Sequence, residues 1–142
     1  MNMLYLAFKI SKKYHKGQKD KGGEDYFLHP LAVAKRVTTR EEKITALLHD
    51  TLEDTSLTEE ELLSFGFEKK IVDAVVLLTQ KKEISRQEYL SKIKNDPLAR
   101  TVKLADLSHN SEISRIPEPT KKDIERVEKY KREIEYLKGH LL

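Results

Sequence analysis

The sequence contains no cysteine and no tryptophan, and only five glycines and four prolines interrupt its 142 residues. Without a thiol there is no disulfide framework, no thiolate metal site and no cysteine nucleophile, and such a chain suits a reducing compartment, so the cytoplasm is expected. No apolar run approaches the roughly 20 residues that a membrane span requires. Residues Met1 to Ile10 lack a basic stretch followed by a small-residue cleavage site, so no secretory signal and no membrane partner are expected. Charge of one sign is also missing: Lys+Arg 27 against Asp+Glu 24 leaves +3, too weakly basic to make nucleic acid the partner. A small anion stays in play. The length suits one compact domain over 1–142, and no feature of the sequence specifies an oligomeric state.

What the chain does have is apolar residues at three- and four-residue spacing, which predicts an all-α fold. A first helix carries Leu4, Ala7, Ile10 and Tyr14 and ends near Gly17, before a polar loop from Gln18 to Asp25. A second follows Pro30, with His29 at its mouth, and a third runs from about Glu41 through Leu48 and Leu52. Thr58 with Glu61 is a capping-box pair for a short helix ending around Phe65 and Gly66. The next segment, Ile71 to Leu78, reads as helix despite the locally strand-like pair Val75 and Val76. Helices from Ser85 or Arg86 to Lys94 and from Pro97 to about Ser111 precede a stiff break at Ile116 to Pro119. A charged packing helix over about 120–140 closes the chain, with Ile124, Val127, Ile134 and Leu137 on its apolar side.

The chemistry concentrates at His49, Asp50, Glu53 and Asp54. On a continuous helix His49 and Glu53 stand at i,i+4, as do Asp50 and Asp54, beside the apolar stripe of Leu48 and Leu52. His29 and Asp106 lie on other predicted helices. Two imidazoles and two carboxylates brought together by helix packing would bind a divalent transition metal through mixed nitrogen and oxygen ligands, with positions left for water and a substrate oxygen. Such an ion polarises a phosphoryl oxygen and acidifies water, while Glu53 or Asp54 accepts the proton, so the implied reaction is hydrolysis. Asp106, set among Leu104, Ala105 and Leu107, would be a costly unpaired charge, and a metal would resolve that cost. His15 and His109 read as structural histidines, each able to cap a helix or to support a metal-binding residue from behind, and nothing in the spacing makes either a ligand.

The order His29, His49-Asp50, Asp106 resembles the H…HD…D signature of HD-domain metal-dependent phosphohydrolases. Further matches at Tyr14, His15, Gly17, Gln18, Gly23, Glu24, Tyr26, Pro30, Thr55, Lys103, His109 and Asn110 extend the likeness over about 1–115 to the hydrolase domain of Rel/SpoT enzymes and small alarmone hydrolases of the stringent response. The resemblance implies a single multi-helix HD-domain fold and a Mn²⁺ ion, or another divalent transition metal, held by His29, His49, Asp50 and Asp106. It also implies a nucleotide substrate, (p)ppGpp, losing its 3′-pyrophosphate. By position, Glu53 and Asp54 correspond to the acids that activate water, Lys21 to a basic residue facing the phosphates, and Asn110 to a polar residue near ribose or base. Asp20, Leu107 and Ile113 stand where the family shows arginine, arginine and threonine, which leaves a different nucleotide or phosphoester, or a non-catalytic metal- or nucleotide-binding regulatory module, as alternative readings.

Overall fold

The computed structural model describes residues 2–139, and among these it is helical with no strand. The helices are α1 (Met3–Tyr14), α2 (Leu28–Lys35), α3 (Arg40–Leu48), α4 (Thr51–Asp54), α5 (Glu59–Ser64), α6 (Lys69–Leu77), α7 (Arg86–Lys94), α8 (Pro97–Asn110) and α9 (Lys121–Leu137). A 3-10 turn at Ile113–Arg115 joins the last two. The predicted all-α class is what the chain adopts. Residue 140, to which the last helix was expected to run, lies outside the described residues.

Local chemistry explains most of the boundaries. Asn2 caps α1 by accepting from the amides of Leu4 and Tyr5, and Gly17 takes φ +88° just beyond it. Capping boxes open three helices, at Thr39 with Glu42, Thr58 with Glu61 and Thr120 with Asp123. Asp96 caps α8 ahead of Pro97, which fills a first-turn position where its missing N–H costs nothing.

Helix α3 is the centre of the packing. It contacts α1, α2, α6 and α8, and α8 in turn contacts α2, α6, α7 and α9. Leu48, Ala46, Val33, Ala74, Val75, Ile93, Ala99 and Val102 are wholly or almost wholly removed from solvent between these elements. Burial on that scale, at ~25 cal/mol per Å² of apolar surface, is what decides the helical state of the Val75 and Val76 segment over its local strand tendency.

Two boundaries and one buried face differ from the sequence reading. Helix α2 starts at Leu28, so His29 lies inside its first turn rather than at its mouth. The helix expected through Leu52 stops at Leu48, and His49 and Asp50 form a turn before α4. On α9, Val127 and Leu137 are buried and Ile134 packs on the core, but Ile124 is 48% exposed, because the first turn of α9 buries Asp123 instead.

Candidate metal centre and adjoining cavity

The turn after α3 has a purpose in the geometry. His49 Nδ1–H donates to the carbonyl of Ala46 at 2.5 Å, which settles the tautomer and directs Nε2 away from its own helix. That Nε2 is buried and has no hydrogen-bond partner, although it lies 3.1 Å from Asp50 Oδ2 and 3.4 Å from Asp106 Oδ1. His29 Nε2, from α2, approaches the same two carboxylates at 2.7 Å to Asp106 Oδ1 and 3.8 Å to Asp50 Oδ2. Donor atoms of His29, His49 and Asp50 all lie within 4.8 Å of one another.

This donor set fits a divalent ion. Neighbouring ligands on one shell with bonds of about 2.1 Å stand roughly 3 Å apart, which is the spacing seen here. With Nδ1 committed to Ala46, the buried Nε2 has no hydrogen-bond partner in the fold, an unmet cost that a proton or an ion among the two carboxylates would remove. Two nitrogens and two carboxylate oxygens suit transition metals that take mixed ligands. Those sequence-predicted ligand positions are therefore brought together from α2, the α3–α4 turn and α8.

The surroundings hold these groups in place. Asp106 is not the unpaired charge that its apolar neighbours suggested. Lys103, buried on the same helix, places its ammonium 2.9 Å from Oδ2, leaving Oδ1 to face the imidazoles. Burial opposes ionisation of Asp106, but Lys103 and the two histidines outweigh it and hold the carboxyl well below its ordinary value. The Lys103 pKa is pushed up despite its burial, chiefly by Asp106. Asn110 Nδ2 adds a hydrogen bond to Oδ1 at 3.1 Å. Tyr26 donates its hydroxyl to Asp50 Oδ2 at 2.5 Å, and burial together with the Asp50 charge raises its pKa, so it stays a donor. Asp50 is itself lowered to about 2, because His49 overcomes the effect of burial. Burial lowers the pKa of His49, and Asp50 and Asp106 more than reverse this, so that it ends well above the ordinary value.

Glu53 and Asp54 lie on α4, on the solvent side of the cluster. Burial and the nearby Asp50 charge raise the pKa of both. Glu53 Oε1 accepts from the amide of Gln80 at 2.7 Å, and Gln18, itself bonded to His15 Nδ1, donates to the carbonyl of Asp54 at 2.8 Å. Lys21 does not enter the cluster. It pairs with Asp123 at 3.2 Å and, with Asn110, Tyr26, Arg115, Arg126 and Tyr130, lines an adjoining cavity of about 270 Å³. Leu107 is buried in the core and has no place in the site.

His109, expected to support a ligand or cap a helix rather than to bind the ion, puts its Nδ1 2.8 Å from Nδ1 of the candidate ligand His29. Sequence reasoning missed other supports. The signal was present for Lys103, as for His109, since both stand three residues from Asp106 on one helix. No local pattern marks Arg115, Arg126 or Tyr130.

A helical protein that gathers two histidines and two aspartates from three segments around one point belongs to the class of helix-built metal centres. The chain belongs to the HD-domain family, whose profile matches residues 7–126. It is similar to the guanosine-3′,5′-bis(diphosphate) 3′-pyrophosphohydrolase of Haemophilus influenzae, 39% identical over 115 residues that make up 71% of this chain and 17% of that protein. The corresponding Aquifex aeolicus enzyme is 36% identical over 118 residues, 75% of this chain and 17% of that one. A GTP pyrophosphokinase of Myxococcus xanthus is 35% identical over 127 residues, 78% of this chain and 17% of that protein. The chain thus spans only about a sixth of the length of these relatives. Among solved structures, one described as a metazoan ortholog of SpoT that hydrolyzes ppGpp aligns over 98% of this chain and 87% of its own, with TM-score 0.77 and 20% identity, a likeness of fold.

Proposed function

We propose that this chain is a metal-dependent phosphohydrolase that cleaves the 3′-pyrophosphate from guanosine 3′,5′-bis(diphosphate), with His29, His49, Asp50 and Asp106 as ligands of a Mn²⁺ ion. The observation that carries the reading is the orphaned Nε2 of His49, buried among carboxylate oxygens that Lys103 and Tyr26 hold in place. When bound, a divalent ion supplies Lewis-acid polarisation of a phosphoryl oxygen and lowers the pKa of a water molecule. The relatives with pyrophosphohydrolase names support the substrate.

The remaining work falls to the chain itself. Glu53 and Asp54 reach solvent next to Asp50, and their raised pKa values make them better proton acceptors than an ordinary carboxylate. The Gln80 amide fixes the Glu53 carboxylate, and Gln18 ties the Asp54 backbone to the loop after α1. Lys21 and Asn110 line the neighbouring cavity and would hold phosphate and ribose or base. Attack by water on the 3′-linked phosphoryl group forms a P–O bond and breaks the ester bond to the 3′ oxygen, the water proton passing to the acid pair and from there to the departing 3′ oxygen, so that GDP and pyrophosphate are released.

The test is product analysis after incubating the Mn²⁺-loaded chain with ppGpp. GDP and pyrophosphate are expected in equal amounts. A metal-loaded protein that leaves ppGpp intact while hydrolysing another nucleotide in a panel would overturn the substrate, and one that hydrolyses none would overturn the enzyme reading.

A further inference from the structure

The cavity beside the metal centre is closed on one side by a contact between two segments far apart in sequence, the loop Gln18 to Asp25 and the 3-10 turn ending at Arg115. The contact is made at backbone level. A Cβ at Gly22 would fall 2.6 Å from the Arg115 carbonyl oxygen, so only glycine allows the two chains to approach this closely. Asp20 is fixed within the loop: its Oδ1 accepts from the amides of Gly22 and Glu24 at 2.9 and 3.0 Å. Its Oδ2 then meets Arg115 Nη2 at 3.3 Å, while Arg115 Nη1 donates to the carbonyl of His109 at 3.0 Å.

Both terminal nitrogens of the guanidinium are therefore held, which fixes its plane in the cavity lining. The side chain of Arg115 is 26% exposed and that of Asp20 16%, so the pair is half-sunk in the cavity wall. Asp20 also neutralises Arg115, which makes the pair a poor phosphate clamp. The cationic excess lies elsewhere on the wall, where Lys21 and Arg126 share the single carboxylate of Asp123 at 3.2 and 2.9 Å. Glu112 is engaged by Arg36 and contributes no free charge. A neutralised, immobilised guanidinium plane is suited to a flat π-system, which it contacts by stacking without paying for ordering. At about 270 Å³, near the lower end of the ~300–1,000 Å³ typical of ligand pockets, the cavity takes part of a nucleotide rather than all of it.

We infer that Arg115, held by Asp20 across the Gly22 contact, is the platform on which the base of the bound nucleotide stacks. The inference rests on the nucleotide reading of the site. It is tested by calorimetric titration of the Mn²⁺-loaded chain with GDP, ADP and inorganic pyrophosphate. In Arg115→Ala, affinity for both nucleoside diphosphates should fall roughly five- to a hundredfold, the size of a lost base stack, and pyrophosphate affinity should stay within about twofold. Arg115→Lys keeps a cation for Asp20 but has no plane, so it should lose as much as Arg115→Ala. Equal loss of pyrophosphate binding, recovery in Arg115→Lys, or no loss of nucleotide binding would each overturn the assignment. The two readings fail separately: a wild-type chain that binds GDP through Arg115 yet leaves ppGpp intact removes the proposed substrate alone, and one that hydrolyses ppGpp with unchanged KM in Arg115→Ala removes the platform alone. A wild-type chain that binds no nucleotide overturns both.

Discussion

His29 and His109 face each other through their Nδ1 atoms at 2.8 Å, with ring planes 21° apart. Burial and the Arg115 charge push the His109 pKa down to about 4, so its imidazole is neutral at physiological pH and its Nδ1 is able to accept a hydrogen bond from Nδ1–H of His29. With His109 accepting, His29 carries hydrogen on Nδ1, which would leave its Nε2 lone pair for an ion in place of the hydrogen bond that Nε2 makes to Asp106 Oδ1 at 2.7 Å. Replacing His109 by Ala should weaken Mn²⁺ binding roughly 10- to 100-fold, as loss of a partner behind a metal-binding histidine does, with part of the affinity recovered in His109→Asn. Mn²⁺ titration of the folded variants measures this, and an affinity equal to wild type would rule the relay out.

Lys103 and Asp106 should reveal the ion through stability. In the metal-free protein Lys103→Met leaves a buried carboxylate without its cation, a loss of about 3–5 kcal/mol. An ion at the centre would supply positive charge in its place. Urea denaturation with and without Mn²⁺ should therefore show a smaller gap between variant and wild type when the metal is present. A gap of the same size in both conditions would place the ion away from Asp106.

The pH dependence of metal binding follows from His49. Its folded pKa is raised by Asp50 and Asp106 above the ordinary histidine value, so in the metal-free protein a proton occupies the site below that pKa and must leave before an ion binds. Affinity for Mn²⁺ should rise with pH, by up to about tenfold per unit while His49 titrates, and level off above its pKa. The same proton stabilises the metal-free fold below the unfolded pKa, and that contribution is lost as pH rises through the folded one. Isotherms recorded from acid to mildly alkaline pH would contradict this if they were flat.

Glu53→Gln separates proton transfer from binding. The variant keeps size and the capacity to accept from the Gln80 amide, but it cannot take a proton. kcat should drop about 10²- to 10⁴-fold while Mn²⁺ affinity stays near wild type, since Glu53 is not among the clustered ligand atoms. Full turnover in the variant would transfer the role to Asp54.

How much of this could be read from residues alone varies along the chain. The capping pair Thr58 and Glu61 and the start of α8 at Pro97 were legible because a cap is chemistry within one turn. The break at His49 and Asp50 was not, because no glycine or proline marks it. Instead it accompanies the hydrogen bond of the buried His49 to Ala46 and that of Thr51 Oγ1 to Leu48, in a segment whose neighbours come from α2 and α8. Ile124 was misplaced because spacing identifies an apolar stripe without saying how far the neighbouring helix covers it.

By itself the sequence determined the helical class and the residue types at the centre, since periodicity, caps and imidazole or carboxylate chemistry belong to single residues and their near neighbours. Tertiary structure alone decided that Nε2 of His49 meets two carboxylates, that Lys103 and Tyr26 restrain them, and that Arg115 comes to rest on the loop at Gly22. Those contacts join positions from the loop after α1 to the 3-10 turn after α8. They exist only once burial of the apolar faces of α2, α3 and α8 has brought the segments together, because no local interaction spans that distance.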